Sequence, residues 1–121
     1  MPAPKLDMNH KQVEQYLLSL PNSKLSYPFG EEAAVYKARG KMFAIIKEKS
    51  RPVNISLKCD PNLSEALRAK YESVMPGYHL NKKHWNTIVL SGQLPWEDIQ
   101  ALVRHSYDLV TNANSDLPAI E

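Results

Sequence analysis

Apolar residues recur along the chain at two spacings, one typical of helices and the other of strands. Near the start they follow the i, i+3, i+4, i+7 spacing that places side chains on one face of a helix. The residues concerned are Val13, Tyr16, Leu17 and Leu20. This spacing predicts an amphipathic helix over residues 9–20, which Asn9 can cap with Gln12 in the reciprocal position three residues later.

Three strands are predicted to follow this helix as an antiparallel meander. The clearest covers residues 53–58, where Val53, Ile55 and Leu57 alternate with polar residues. A period of two predicts a sheet that is buried on one face only. Residues 34–38 and 42–47 form the other two strands, and Gly40 between them suits a tight turn.

The remaining elements complete an α+β pattern. A second helix is predicted to begin at Pro61 with Asp60 as its N-cap, followed by an irregular stretch through residues 76–77. A fourth strand covers 85–90, and a last helix begins near Pro95. The order α-β-β-β-α-β-α predicts a two-layer sandwich, an antiparallel sheet with helices on one face. Residues 1–121 are expected to form a single domain, ordered from about residue 6 to residue 113.

The 121 residues carry a net charge of only +2, but the charges are unevenly distributed. Residues 37–58 hold seven basic residues and one acidic residue, a balance of +6, whereas residues 95–121 have a balance of −4. A segment as basic as 37–58 is either an ordinary solvated surface or a binding face. The lone cysteine, the missing signal-peptide pattern and the lack of a run of about 20 apolar residues favour a cytoplasmic protein.

Sequence motifs of catalysis are missing. The chain has no G-x-G-x-x-G, no P-loop, no G-x-S-x-G and no H-E-x-x-H. His79, His84, His105 and Cys59 do not follow the spacings of zinc sites. Cys59 is expected to be an inert small residue at a strand end. We therefore predict a protein without enzymatic activity, without a metal site and without a cofactor.

The most distinctive segment, residues 76–87, reads PGYHLNKKHWNT and combines aromatic, amide and basic side chains. Such a surface can contact phosphates and stack on bases, but each residue also has a structural interpretation. Trp85 is expected to be buried, because large aromatic residues at a strand start usually pack inward. Asn81 is expected to stabilise the turn, whereas Lys82 and Lys83 are placed for contact. His79 and His84 can serve as a hydrogen-bonding framework.

This segment resembles the hallmark of the MmcQ/YjbR family. Residues 51–58, RPVNISLK, resemble the third strand of that family, and residues 106–110, SYDLV, resemble its last-helix motif. The resemblance extends over about residues 9–112, and its motif residues are His79, Asn81, His84 and Trp85. It implies a small bacterial-type protein with a CyaY-like fold, whose hairpins are described as a "double wing" suggestive of DNA binding. It implies no established enzymatic activity.

The leading hypothesis is a DNA-binding module that contacts phosphates through basic residues. These residues are Lys47, Lys49, Arg51, Lys58, Lys82 and Lys83. The turn 47–51 and the segment 81–83 are expected to lie on one side of the molecule. Two alternatives remain open. One is a protein-interaction or carrier module that uses the open sheet face or an edge strand. The other is a small-ligand binder with a pocket around Tyr78, His79 and Trp85.

Overall fold

The computed structural model describes residues 10–77 and 80–111. Within them three helices and six strands follow one another along the chain. In order they are α1 (His10–Ser19), β1 (Ser23–Ser26), β2 (Ala33–Ala38), β3 (Lys41–Lys47), β4 (Asn54–Lys58), α2 (Pro61–Lys70), β5 (Val74–Pro76), β6 (Trp85–Val89) and α3 (Trp96–Thr111). The predicted helices and the four predicted strands are confirmed with small shifts of their ends. The proposed cap at Asn9 lies outside the described residues.

The six strands form one antiparallel sheet in the order β1-β2-β3-β4-β6-β5. The two outer strands, β1 and β5, were not predicted. They have four and three residues, and β5 ends at Pro76 within the stretch that was predicted to be irregular. Both are too short to show a period of two, and each pairs with only one neighbour. Their strand conformation is therefore decided by the neighbouring strand rather than by their own sequence.

Two local features predicted from the sequence are present. Arg39 and Gly40 form the two-residue turn between β2 and β3, with φ of 54° and 80°. Positive φ at both positions is what a tight hairpin turn that follows the strand twist requires. Asp60 caps α2, because its Oδ2 accepts hydrogen bonds from the backbone N–H groups of Asn62 and Leu63.

All three helices pack on the same face of the sheet. Their apolar residues join those of the strands in one hydrophobic core. Helix α3 lies over β2, β3 and β4, with α1 beside β1 and α2 beside β5. The strand residues that face them include Tyr36, Ile46, Ile55 and Ile88, each no more than 1% exposed. The predicted two-layer α+β architecture is confirmed, since the opposite face of the sheet carries no helix within the described residues.

Two buried side chains join helix α3 to the rest of the fold, and one of them replaces a hydrogen bond between strands. The β2–β3 register shifts after Tyr36, which leaves Phe43 as a bulged residue. The Ser106 hydroxyl donates to the Phe43 carbonyl at 2.5 Å and accepts from the Lys58 N–H at 2.9 Å. The preceding residue of α3, His105, accepts a hydrogen bond from the Asp60 N–H through its Nε2 atom at 3.1 Å. The β3–β4 ladder therefore continues through a side chain of α3 where the backbones no longer pair.

Removing the Ser106 hydroxyl should destabilise the fold. The Ser106→Ala change leaves a buried carbonyl and a buried N–H without their partner, which costs about 1–3 kcal/mol. The free energy of unfolding, measured by chemical denaturation, should fall by this amount. Ser19→Ala is the control, because the Ser19 hydroxyl is exposed and bonds only to the Tyr16 carbonyl of its own helix. Equal stability losses in the two variants would show that Ser106 does not join α3 to the sheet.

Candidate functional site

The face of the sheet opposite the helices, here called the open face, is defined by residues that alternate with the core residues along each strand. The strand registers arrange these residues in three rows that cross the sheet. The basic row contains Lys24, Lys37, Met42, Lys58 and Trp85. The middle row contains Ser26, Val35, Ile45, Ser56, Thr87 and Met75. The far row contains Ala33, Lys47, Asn54 and Val89.

None of these fifteen strand positions on the open face is acidic, and four are lysines. Lys24 and Lys37 are directly opposite each other on β1 and β2. Like charges in this position destabilise a pair of strands, so the arrangement is not explained by the stability of the sheet. Lys58 lies two strands further along, at the same end of the strands, where the Ser106 hydroxyl separates β4 from β3. The basic row is therefore a line of unopposed positive charge across the sheet.

The six basic residues singled out from the sequence do not form one cluster. Lys47 and Lys58 lie on the open face, at opposite ends of the strands. The turn 47–51 precedes β4, whereas the segment 81–83 precedes β6. Because β4 and β6 are antiparallel, with Asn54 opposite Val89, these two connections emerge at opposite ends of the sheet. The prediction that they share one side of the molecule is wrong for this reason.

The turn that contains Lys49 and Arg51 is less available for binding than its sequence indicates. The Arg51 guanidinium donates to the backbone carbonyls of Glu48 and Ser50, at 3.3 and 2.5 Å. The Glu48 carboxylate is held by His10 of α1 and by the Tyr27 hydroxyl. Lys49 lines a shallow cleft together with the acidic residues Glu31 and Glu32. This end of the sheet therefore mixes both signs of charge.

The loop that leads into β6 adjoins the Trp85 end of the basic row and holds exposed basic residues. Lys82, Lys83 and His84 are all exposed. Asn81 shapes the turn as predicted, because its Oδ1 accepts from the Lys83 N–H at 2.9 Å and its carbonyl accepts from the N–H groups of His84 and Trp85. His79, a motif residue, and its neighbour Tyr78 lie outside the described residues.

Arg68 of α2 fixes this loop from the helical side, a role that the sequence did not reveal. Its guanidinium donates to the Asn86 side chain at 2.7 Å and to the backbone carbonyls of Lys82 and Trp85. Asn86 itself is only 2% exposed, so its amide oxygen needs a donor. The sequence signal for this contact was Asn86, a polar residue at a position of β6 that faces the core and therefore needs a hydrogen-bond partner.

Trp85 is 6% exposed, which confirms the prediction that it is buried. Its packing differs from that of the other large residues, because it belongs to the open face and lies outside the main core. Its Cβ lies 3.3 Å from the position that a Cβ on Gly77 would occupy, and Leu80 reaches the same point. Gly77 thus packs closely against the base of the Trp85 side chain, and the buried indole is not at the surface where it could stack on a base.

The buried groups near the end of β4 are held in uncharged forms. Cys59 is 3% exposed, and burial raises the pKa of its thiol, although the neighbouring Ser64 hydroxyl lowers this pKa in part. Burial lowers the pKa of His105, against the opposing effects of Asp60 and Asp108. Among the described residues, no three His, Cys, Asp or Glu side chains come together in a way that could hold a metal ion. No helix in the described ranges has the length and apolar character needed to cross a membrane.

Trp85→Ala should reduce the free energy of unfolding by about 3–5 kcal/mol, the usual cost of truncating a buried aromatic residue. Chemical denaturation followed by circular dichroism measures this loss independently of tryptophan fluorescence. Trp96→Ala is the comparison, since Trp96 is only partly buried, at an edge contact with Tyr16, and should cost less. A loss below about 1 kcal/mol for Trp85→Ala would place the indole at the surface.

His105 should make the stability of the fold depend on pH. Its pKa is lower in the folded chain than the ordinary value of 6.5, so the unfolded chain binds the proton more readily. The contribution is complete above pH 6.5 and is lost as the pH falls below that value towards the folded pKa. Denaturation between about pH 7.5 and 5.5 should show a steeper loss for the wild type than for His105→Gln, whose amide oxygen can still accept from Asp60. Parallel curves would contradict this assignment.

Known structures confirm the fold. The crystal structure of a Deinococcus radiodurans protein with a DUF419 domain superposes with a TM-score of 0.81 at 34% sequence identity, covering 92% of this chain and 93% of that one. The crystal structure of a Pseudomonas syringae protein superposes with a TM-score of 0.73 at 28% identity, covering 85% of this chain and 99% of the other.

Sequence relatives agree with the structural ones. The Escherichia coli K12 protein named "Uncharacterized protein YjbR" is 36% identical over 105 residues, which cover 87% of this chain and 89% of the relative. The "Uncharacterized protein YbdF" of Escherichia coli O157:H7 is 35% identical over 103 residues, 85% of this chain and 84% of the relative. The YjbR family model matches residues 18–109. The chain therefore belongs to the YjbR family.

Proposed function

We propose that this protein is a non-enzymatic module that binds the phosphate backbone of DNA with the open face of its sheet. The observation that carries the proposal is the basic row, in which Lys24, Lys37 and Lys58 line up across the sheet with no acidic neighbour on that face. Lys82 and Lys83 extend the row where the loop enters β6. A lysine side chain carries its amino group at the end of a long flexible chain, which suits contact with phosphates.

The dimensions of the basic row suit a duplex. Lys24 and Lys58 are three strands apart, so the row spans at least roughly 14 Å, the distance that three regular strand spacings cover. That length of duplex axis carries about eight phosphate charges, so each lysine can find a partner without distorting the DNA. The row lies across a sheet face on which residues 10–77 and 80–111 place no helix that could enter a major groove, so we expect recognition by backbone rather than by bases.

The same face argues for duplex over single-stranded DNA. Proteins that bind single strands usually present exposed aromatic rings on which the bases stack. Trp85 is the one aromatic residue among the fifteen positions of the open face, and it is buried. We therefore expect binding that depends on charge, with little preference for base sequence.

Two observations weigh against the alternatives. Strand addition by a protein partner needs an accessible edge, but the edge strands have four and three residues, one with Lys24 and the other ending in Pro76. Catalysis by the thiol is disfavoured, because burial keeps Cys59 protonated. The pocket suggested around Tyr78 and His79 lies outside the described residues.

The proposal predicts a steep dependence of DNA affinity on salt. If all five lysines contact phosphates, log affinity should fall with log salt at a slope of about −4 to −5. Changing Lys37 and Lys58 together to Gln removes two of these contacts, so the slope should become shallower by about two. A salt titration of duplex binding by fluorescence anisotropy measures both slopes.

The matched control is the double change of Lys49 and Arg51 to Gln, which removes the same charge from the other end of the sheet. Its slope should stay near that of the wild type, because the Arg51 guanidinium is engaged within its own turn. Equal losses in both double variants would mean that net charge matters and the open face does not. If the wild type fails to bind duplex DNA at about 50 mM salt, the proposed function itself is refuted.

A further inference from the structure

A pair of hydroxyl groups lies at the centre of the open face. Ser56 of β4 and Thr87 of β6 are directly opposite each other in the middle row. Their hydroxyl oxygens are 2.8 Å apart, and both residues are partly buried. On either side in the same row stand Ile45 and Met75, which offer neither a donor nor a charge.

The hydrogen bond between the two hydroxyls leaves a donor unused. Each hydroxyl has one hydrogen to donate, and the pair uses only one of them. Neither hydroxyl has a second hydrogen-bond partner among the described residues. The pair can therefore donate one more hydrogen bond, towards a group that arrives on the open face.

The nearest charge on the open face identifies the kind of group that fits. Lys58 follows Ser56 by two positions on the same strand, so its Cα is about 6.6 Å away on the same face. On the other side of the pair, Asn54 is uncharged. A donor hydroxyl beside an ammonium group, with no carboxylate among the fifteen strand positions of the open face, is suited to an anionic oxygen.

We propose that the Ser56–Thr87 pair, together with Lys58, seats one phosphodiester group of the bound DNA. This rests on the proposed function and refines it, because it names the point at which the backbone crosses the middle of the sheet. The lysines of the basic row supply attraction at a distance, whereas the hydroxyl pair supplies a directed hydrogen bond. The two contributions respond differently to salt, and that difference separates them.

The experiment measures duplex-DNA affinity and its salt dependence for the double variant Ser56→Ala/Thr87→Val. Replacing both partners with apolar groups of similar shape leaves no unpaired hydroxyl and should change folding stability little. We expect affinity to fall about tenfold at every salt concentration, the value of one hydrogen bond to a charged group. The slope of log affinity against log salt should stay that of the wild type, because no charge has been removed.

Ser26→Ala is the matched control, since Ser26 lies in the same row on edge strand β1, roughly 14 Å from Ser56. It should bind DNA as the wild type does. Unchanged affinity of the double variant would overturn the proposal and leave the hydroxyl pair with a role in the sheet alone. A shallower slope would also overturn it, because the loss would then come from displaced lysines. Failure of the wild type to bind would refute the proposed function and this inference together, whereas the first two outcomes leave the proposed function intact.

Discussion

The Ser106 hydroxyl connects the two layers of this protein at the point where its sheet is irregular. Phe43 is a bulged residue of β3, and near it the regular pairing between β3 and β4 ends. The Phe43 carbonyl and the Lys58 N–H do not bond to each other, and both bond to the Ser106 hydroxyl instead. His105 beside it holds the backbone of Asp60, where β4 gives way to α2. The rings of Phe43 and Tyr107 also pack edge to face, with their centroids 5.4 Å apart. Since buried backbone groups must be paired, the position of α3 on the sheet follows from these contacts.

The attachment of α3 decides which face of the sheet is left for function. Apolar residues of all three helices cover one face, and the residues that alternate with them form the other. The lysines of β1, β2, β3 and β4 on that second face have no acidic strand neighbour, even though the chain as a whole carries a charge of only +2. The acidic residues are elsewhere: Glu48 binds α1, Asp60 caps α2, and Glu97 and Asp98 lie in the first turn of α3. Charge of one sign is thus concentrated by the fold, which is the condition for attracting a polyanion.

The polar groups inside the fold serve structure, whereas the groups to which we assign binding lie on the open face of the sheet. Cys59 and His105 are kept neutral by burial, and the Arg68 guanidinium holds the start of β6 through an amide and two carbonyls. The residues on which a binding role depends are instead exposed or partly buried lysines and hydroxyls of the open face.

The sequence by itself determined the helices, the four longer strands, the cap at Asp60 and the turn at Gly40, because each depends on residues close together in the chain. Burial of Trp85 and the turn role of Asn81 were also readable, since large aromatics and turn amides have strong local preferences. The run of basic residues in 37–58 was visible in the sequence too, but the sequence did not show that the fold places these residues at opposite ends of the sheet. Alternate residues of a strand point to opposite faces, and antiparallel connections emerge at opposite ends, so the register separated Lys49 and Arg51 from Lys82 and Lys83. The register also placed Lys24 opposite Lys37, and the strand order brought Lys58 to the same end of the same face. Only tertiary structure could place these lysines in one row, because pairing between strands, and not the order of residues, sets which side chains are neighbours.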